Sequence, residues 1–233
     1  FNSWAMSIIR KVVRGRPFFK FHNVPSFVEE IKFSEEILNA LEGWVDRQKQ
    51  ALDVEVEEAF KKWPGQLKAW KKAESSAMLP RLKDFTHDIK GSNLPKLDKD
   101  KCLEFLKRKT FDMEDYVQDI YNLLANTSHL KNYLPANPKL DSNLDYLKRL
   151  TEKNQAKNNL DYFDMSLILR LIQLKNGGLP DGSGGVVLLD HLVIDEAQDF
   201  GPVEFAIMMS SVSDKRQITI VGDVAQKILS ARK

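Results

Sequence analysis

The chain has 233 residues, 42% hydrophobic and 29% charged, with a formal net charge of +2 and an isoelectric point near 8.5. That balance describes an ordinary soluble protein rather than a disordered one, and every apolar run is far shorter than the ~20 residues of a bilayer-spanning helix. One cysteine, Cys102, excludes an internal disulfide and a thiolate metal centre, and the four histidines (His22, His87, His129, His191) stand at no metal-ligand spacing.

The length suits one large domain or two smaller ones. Phe1 rather than a methionine opens the chain, so a piece of a longer protein is expected. Arg10, Lys11, Arg14 and Arg16 interrupt the apolar runs of the first twenty residues, which therefore lack a signal-peptide pattern, and a cytoplasmic location is expected. A dedicated nucleic-acid-binding domain is usually more basic than this chain. Three local basic patches stand out: Arg10 to Arg16; Lys61 and Lys62 with Lys68, Lys71 and Lys72; and Lys107-Arg108-Lys109. Each reads first as a solvated helix face and second as a phosphate track.

In chain order, Ile8, Ile9, Val12 and Val13 predict a helix stopped by Gly15-Arg16-Pro17. Ser26 and Glu29 form a capping-box pattern after Pro25. Helical spacing then runs through Ile31, Ile37, Leu38, Leu41 and Val45, and on to Leu52, Val56 and Phe60, as one helix or two. Gly43 weakens the middle, and Leu52 to Val56 also alternates as a strand does. Pro64-Gly65 restarts a helix over Gln66 to Met78, and Pro80 marks the next boundary. Asp98 or Asp100 is a candidate cap for a helix with Leu103 and Leu106, and Asp112 for one with Val117, Ile120, Tyr121 and Leu124. Aromatic residues at this spacing read as core, and Cys102 as a small packed residue. Asn126 to Asp141 is loop-like, Ser142 is a candidate cap for Leu144, Leu147 and Leu150, and Thr151 to Asn159 reads as an exposed linker. Asp164 is expected to cap an apolar helix, Met165 to Leu174, ended by Asn176-Gly177-Gly178. The glycine-rich stretch Gly177 to Gly185 lacks a following Gly-Lys-Ser/Thr, and it reads as a turn.

The informative end is the last forty residues or so. Leu192-Val193-Ile194 runs directly into Asp195-Glu196, as a buried parallel strand ends when its carboxyl edge carries chemistry. A second apolar run, Ile218 to Val221, precedes Gly222-Asp223-Val224-Ala225-Gln226, and Pro202 to Val212 between them reads as a crossover helix with proline in its first turn. Two neighbouring parallel strands would then present acids and an amide at one sheet edge. In nucleotide-hydrolysing sheets one such carboxylate holds Mg²⁺ and its neighbour orients or deprotonates water.

Ile194-Asp-Glu-Ala-Gln-Asp199 followed by Ile220-Val-Gly-Asp-Val-Ala-Gln-Lys-Ile228 resembles motifs II and III of the UvrD/Rep group of superfamily I helicases. Phe1-Asn2-Ser3-Trp4 resembles a passage after the second strand in the HelD, or helicase IV, branch, and Leu160 to Met165 resembles the Asp-Phe-x-Asp-Leu passage before motif II. The resemblance implies an α/β fold: a partial P-loop NTPase (RecA-like) parallel sheet at the carboxyl end with a large, mainly α-helical, 1B-like insertion. It divides the chain into residues 1–24 (motor domain 1A), 25–159 (insertion) and 160–233 (motor domain 1A with motifs II and III). It implies ATP and Mg²⁺ as cofactors, Asp195 as metal ligand, Glu196 as catalytic base, and Gln226 as the γ-phosphate contact. Gln198, Asp199 and Asp223 match coupling positions. The implied partner is DNA, single-stranded or at a duplex junction; the alternative is a HelD-like motor acting on a protein complex such as RNA polymerase. Two departures matter. No P-loop lysine occurs, so these residues alone are expected to bind ATP weakly and hydrolyse it negligibly. Leu229 and Ala231 stand where DNA-unwinding relatives carry a base-stacking tyrosine and tryptophan.

Overall fold

The computed structural model describes residues 2–15, 17–20, 24–74 and 76–222. Its elements are α1 (Asn2–Val12), β1 (Phe18–Lys20), α2 (Ser26–Lys32), α3 (Glu35–Phe60), α4 (Pro64–Lys72), α5 (Met78–Gly91), α6 (Lys96–Met113), α7 (Tyr116–Ala125), α8 (Thr127–Leu130), α9 (Leu140–Gln155), β2 (Asn159–Asp161), α10 (Tyr162–Asn176), β3 (Leu192–Ile194), α11 (Pro202–Ser210) and β4 (Ile218–Ile220). The result is a mostly helical molecule with two small parallel sheets, β1 with β2 and β3 with β4. No described helix is long and apolar enough to cross a membrane.

The pivot is α10. Met165, Leu167, Ile168, Leu169, Leu171 and Ile172 are all buried, so this helix is covered nearly all round. Its neighbours are α1, α3, α5, α7 and α11. It starts at a capping box in which Asp161 accepts from the amides of Phe163 and Asp164, while the Asp164 carboxylate accepts from the Asp161 amide. It ends at Gly177, whose φ of +75° is a left-handed position natural to glycine. The cap is therefore Asp161, three residues before the expected Asp164.

Other helix starts also differ from expectation. Ser26 opens α2 but makes no capping bond, whereas Ser34 caps the next helix, α3, its Oγ accepting from the Ile37 amide at 3.1 Å. From there α3 runs unbroken for 26 residues through Gly43 and the alternating stretch Leu52 to Val56, because Leu52, Val56 and Phe60 all face the core at helical spacing. Asp115, not Asp112, caps α7, accepting from the Gln118 amide at 3.0 Å, since α6 extends to Met113. Asp98 lies inside the first turn of α6 and Ser142 inside that of α9. The expected linker Thr151 to Asn159 is the end of α9 followed by β2, with Thr151 buried and bonded to the Leu147 carbonyl.

The pairing of β1 with β2 closes the chain on itself in the register Phe18↔Asn159. The Phe18 amide donates to the Asn158 carbonyl at 3.0 Å and the Tyr121 hydroxyl to the Asn159 carbonyl at 2.8 Å. At the other end, β3 and β4 pair in the register Leu192↔Ile218 with α11 as the crossover, as the sequence predicts, but the strands are not buried as expected: Val193 and Ile220 are exposed and only Ile194 is buried. The glycine-rich stretch is a turn, where Asp181 Oδ1 accepts from the amides of Ser183 and Gly185.

Candidate functional site at the β3–β4 edge

Asp195 follows the last residue of β3, and Gly222 lies just beyond β4 on the neighbouring strand. The two chain segments are stitched together: the Val221 amide donates to the Ile194 carbonyl at 2.7 Å and the Ala197 amide to the Val221 carbonyl at 3.0 Å. A β-carbon on Gly222 would lie 2.8 Å from Gln198 Oε1 and 3.3 Å from Ala197 Cβ, so glycine permits this close approach. The segment following β3 thereby rests against the end of β4.

Glu196 has φ +51° and ψ +46°, a left-handed conformation uncommon for a residue with a side chain. Local bonds hold it there. Its amide donates to Asp195 Oδ1 at 3.0 Å, its carbonyl accepts from the Asp199 amide at 2.9 Å, and the Gln198 side-chain amide donates to Glu196 Oε2. Asp195, Glu196 and Asp199 are exposed and Gln198 is half-buried. Asp195 Oδ2 and Glu196 Oε1 have no partner among the described residues, so each carboxylate keeps one oxygen for a ligand. Asp223 and Gln226, like Leu229 and Ala231, lie outside the described residues.

Among the described residues, no three acidic, imidazole or thiol groups gather as a protein-only metal cage. That arrangement still fits Mg²⁺, which is usually held by one or two carboxylates together with substrate phosphates and water. A cavity of about 280 Å³ adjoins the edge, lined by Trp4, Val193, Ile194, Asp195, Phe200 and Met208 among others. Trp4, singled out at the chain start, and Asp195, near its end, thus border one space.

Sequence reasoning missed the support beneath this loop. Glu204, in the first turn of α11, is buried; one of its oxygens accepts from the Gly201 amide at 2.9 Å and the other from Ser166 Oγ on α10 at 3.0 Å. Burial pushes its carboxyl above the ordinary range. A β-carbon on Gly201 would lie 2.7 Å from the Phe33 ring. Beside that ring, buried Lys32 bonds Asp161 at 2.5 Å and Asp164 at 2.6 Å. With one ammonium facing two carboxylates in a dry site, burial pushes the Asp164 carboxyl up to about 6 despite Lys32. Lys32 itself is pushed up by its two carboxylates, which outweigh its own burial. The one readable signal was Glu204 standing three residues after Gly201 at a helix start.

No curated protein and no solved structure matched the chain when it was compared with them. The model of the UvrD/REP helicase N-terminal domain matches residues 30–233. With paired parallel strands, an acidic tip on one and the close-approach glycine on the other, the chain belongs to the UvrD/REP helicase N-terminal domain family.

Proposed function

We propose that the chain is the central part of the first motor domain of an ATP-dependent DNA helicase or translocase. Residues 1–24 and 160–233 would contribute to a RecA-like sheet, and 25–159 would form its 1B-like helical insertion. The observation that carries this reading is the Asp195-Glu196 tip held beside Gly222 on the adjacent parallel strand, within a chain of this family. Mg²⁺ bound with ATP would neutralise charge on the phosphates. Asp195, through its uncommitted oxygen, would hold that ion. Glu196, with one oxygen steadied by Gln198, would orient water and take its proton at Oε1. Gln226 would contact the γ-phosphate, with Gln198, Asp199 and Asp223 linking hydrolysis to movement.

Hydrolysis by the intact protein, measured with and without single-stranded DNA, tests this. Glu196→Gln is expected to lower turnover by at least ~10²-fold while sparing ATP binding; undiminished turnover overturns the assignment. The 233 residues alone are expected to hydrolyse ATP negligibly for want of a Gly-Lys-Ser/Thr cradle, and Glu196-dependent turnover by them would refute that. Leu229 and Ala231 favour a second reading, a motor acting on a protein complex such as RNA polymerase. Hydrolysis indifferent to DNA would support it, and strong stimulation by DNA would support the first.

A further inference from the structure

Two basic stretches that are ~90 residues apart in sequence meet in space. Helices α5 and α6 pack closely against each other, and a groove of about 720 Å³ between them is lined by Lys83 and Lys90 from α5, by Lys107 and Arg108 from α6, and by Arg14 beyond α1. Arg14 pairs with Glu114 and lies 4.2 Å over the Phe111 ring. The other four cations are exposed, and none forms an ion pair with a carboxylate among the described residues. In a chain of net charge +2, such a cluster is local rather than a share of a general positive surface.

Most of the remaining lining is apolar, with Glu104 the one acid among it. Leu103, the methyl groups of Thr86 and Thr110, and the ring of Phe111 lie between the cations. Phe111 is 59% exposed. A cationic rim along an apolar floor complements a helix with acids on one side and leucine-like anchors on the other. Nucleic acid fits less well. Glu104 sits within the lining, and Phe111 is the one aromatic among the lining residues, too few for a run of stacked bases.

We propose that the α5–α6 groove is a docking site for an acidic amphipathic helix of a partner protein, independent of the ATP chemistry at the β3–β4 edge. Leucine-like side chains would seat on Leu103 and Phe111, and acidic ones would reach Lys83, Lys90, Lys107 and Arg108.

The test is fluorescence anisotropy on the full chain with a labelled helical peptide carrying leucines on one face and glutamates on the other. Its probes for comparison are a scrambled peptide of the same composition, an oligothymidine and a DNA duplex. Saturable binding of the patterned peptide is expected, at least about tenfold tighter than the scrambled one. Lys83→Glu with Lys107→Glu should weaken it at least about tenfold, and a peptide with lysines in place of its glutamates should bind that double variant better than the wild type. Phe111→Ser should weaken it about fivefold; all three positions are exposed, and circular dichroism checks that the helices persist. Absence of saturable binding, equal binding of the scrambled peptide, or tighter oligonucleotide binding lost in the same variants would each overturn the proposal, the last reassigning the groove to nucleic acid.

Discussion

The helical body around α10 and the β3–β4 corner handle charge in opposite ways. In the body, every buried charge has a partner: Lys32 with Asp161 and Asp164, Lys175 with Asp119 and the Met113 carbonyl, and Arg81 with Asp53, the Trp70 carbonyl and the Trp70 ring. At the corner, the carboxylates of Asp195 and Glu196 face solvent with an oxygen free, and so do Val193, Ile220 and Val221, each more than half exposed. Stability resides in the first region and the available chemistry in the second. Helix α11 joins them, bonded to α10 from Ser166 to Glu204, which in turn holds the Gly201 amide, and from Gln173 to the Ile207 carbonyl.

The strongest way to break this contrast is to remove a partner from the body. Lys32→Met leaves two carboxylates buried together and is expected to cost ~3–5 kcal/mol by chemical denaturation, whereas Asp195→Asn should stay within ~0.5 kcal/mol. Equal losses from the two would dissolve the distinction. Gly201→Ala, which drives a methyl into the Phe33 ring, should cost ~1–3 kcal/mol. If it also lowers turnover in the intact protein while an unstable body variant such as Lys32→Met does not, the contact of Gly201 with Phe33 positions the acidic loop.

A subtler effect concerns pH. Because the Asp164 carboxyl is raised to about 6 from an ordinary 3.8, the folded chain keeps a proton that the unfolded chain has released across that window. Its contribution therefore makes stability fall as pH rises from 3.8 to about 6. Melting temperatures of Asp164→Asn, whose amide oxygen still accepts a hydrogen bond, should show a flatter profile there than wild type; an identical slope would exclude Asp164 as its source. Smallest of all, Val193→Thr on the exposed side of β3 should shift stability by no more than ~0.5 kcal/mol.

Where the sequence was readable, the signal was local. Pro202 at a helix start, Gly177 at a helix end, and two apolar runs each closing on polar residues define α11, the end of α10, and the β3–β4 pair. Capping was read less well, because Ser and Asp oxygens near a helix start are all good acceptors: Ser26 opens α2 without capping it, Ser34 caps α3, and Asp161 rather than Asp164 caps α10. The pairing of β1 with β2 had no local mark. Each strand is three residues long, and their partners are ~140 residues away. The α5–α6 groove was hidden for the same reason: Arg14 and Lys107 meet only after everything between them has folded.

That β1–β2 pairing bears on inheritance as well as on architecture. Residues 24–158 leave and return through two adjacent strands, a doorway about 4.8 Å wide, which by itself is the layout of a transplantable cassette. Yet α10, which lies outside the doorway, plugs the interior of that cassette against α3, α5 and α7, and among the described residues Lys32 pairs with Asp161 and Asp164 beyond it. Moved to another scaffold without α10, the helices would present an open apolar cleft and a stranded buried cation. Residues 24–158 and the helix preceding the acidic strand are therefore expected to travel through evolution, and through any recombination experiment, as one unit.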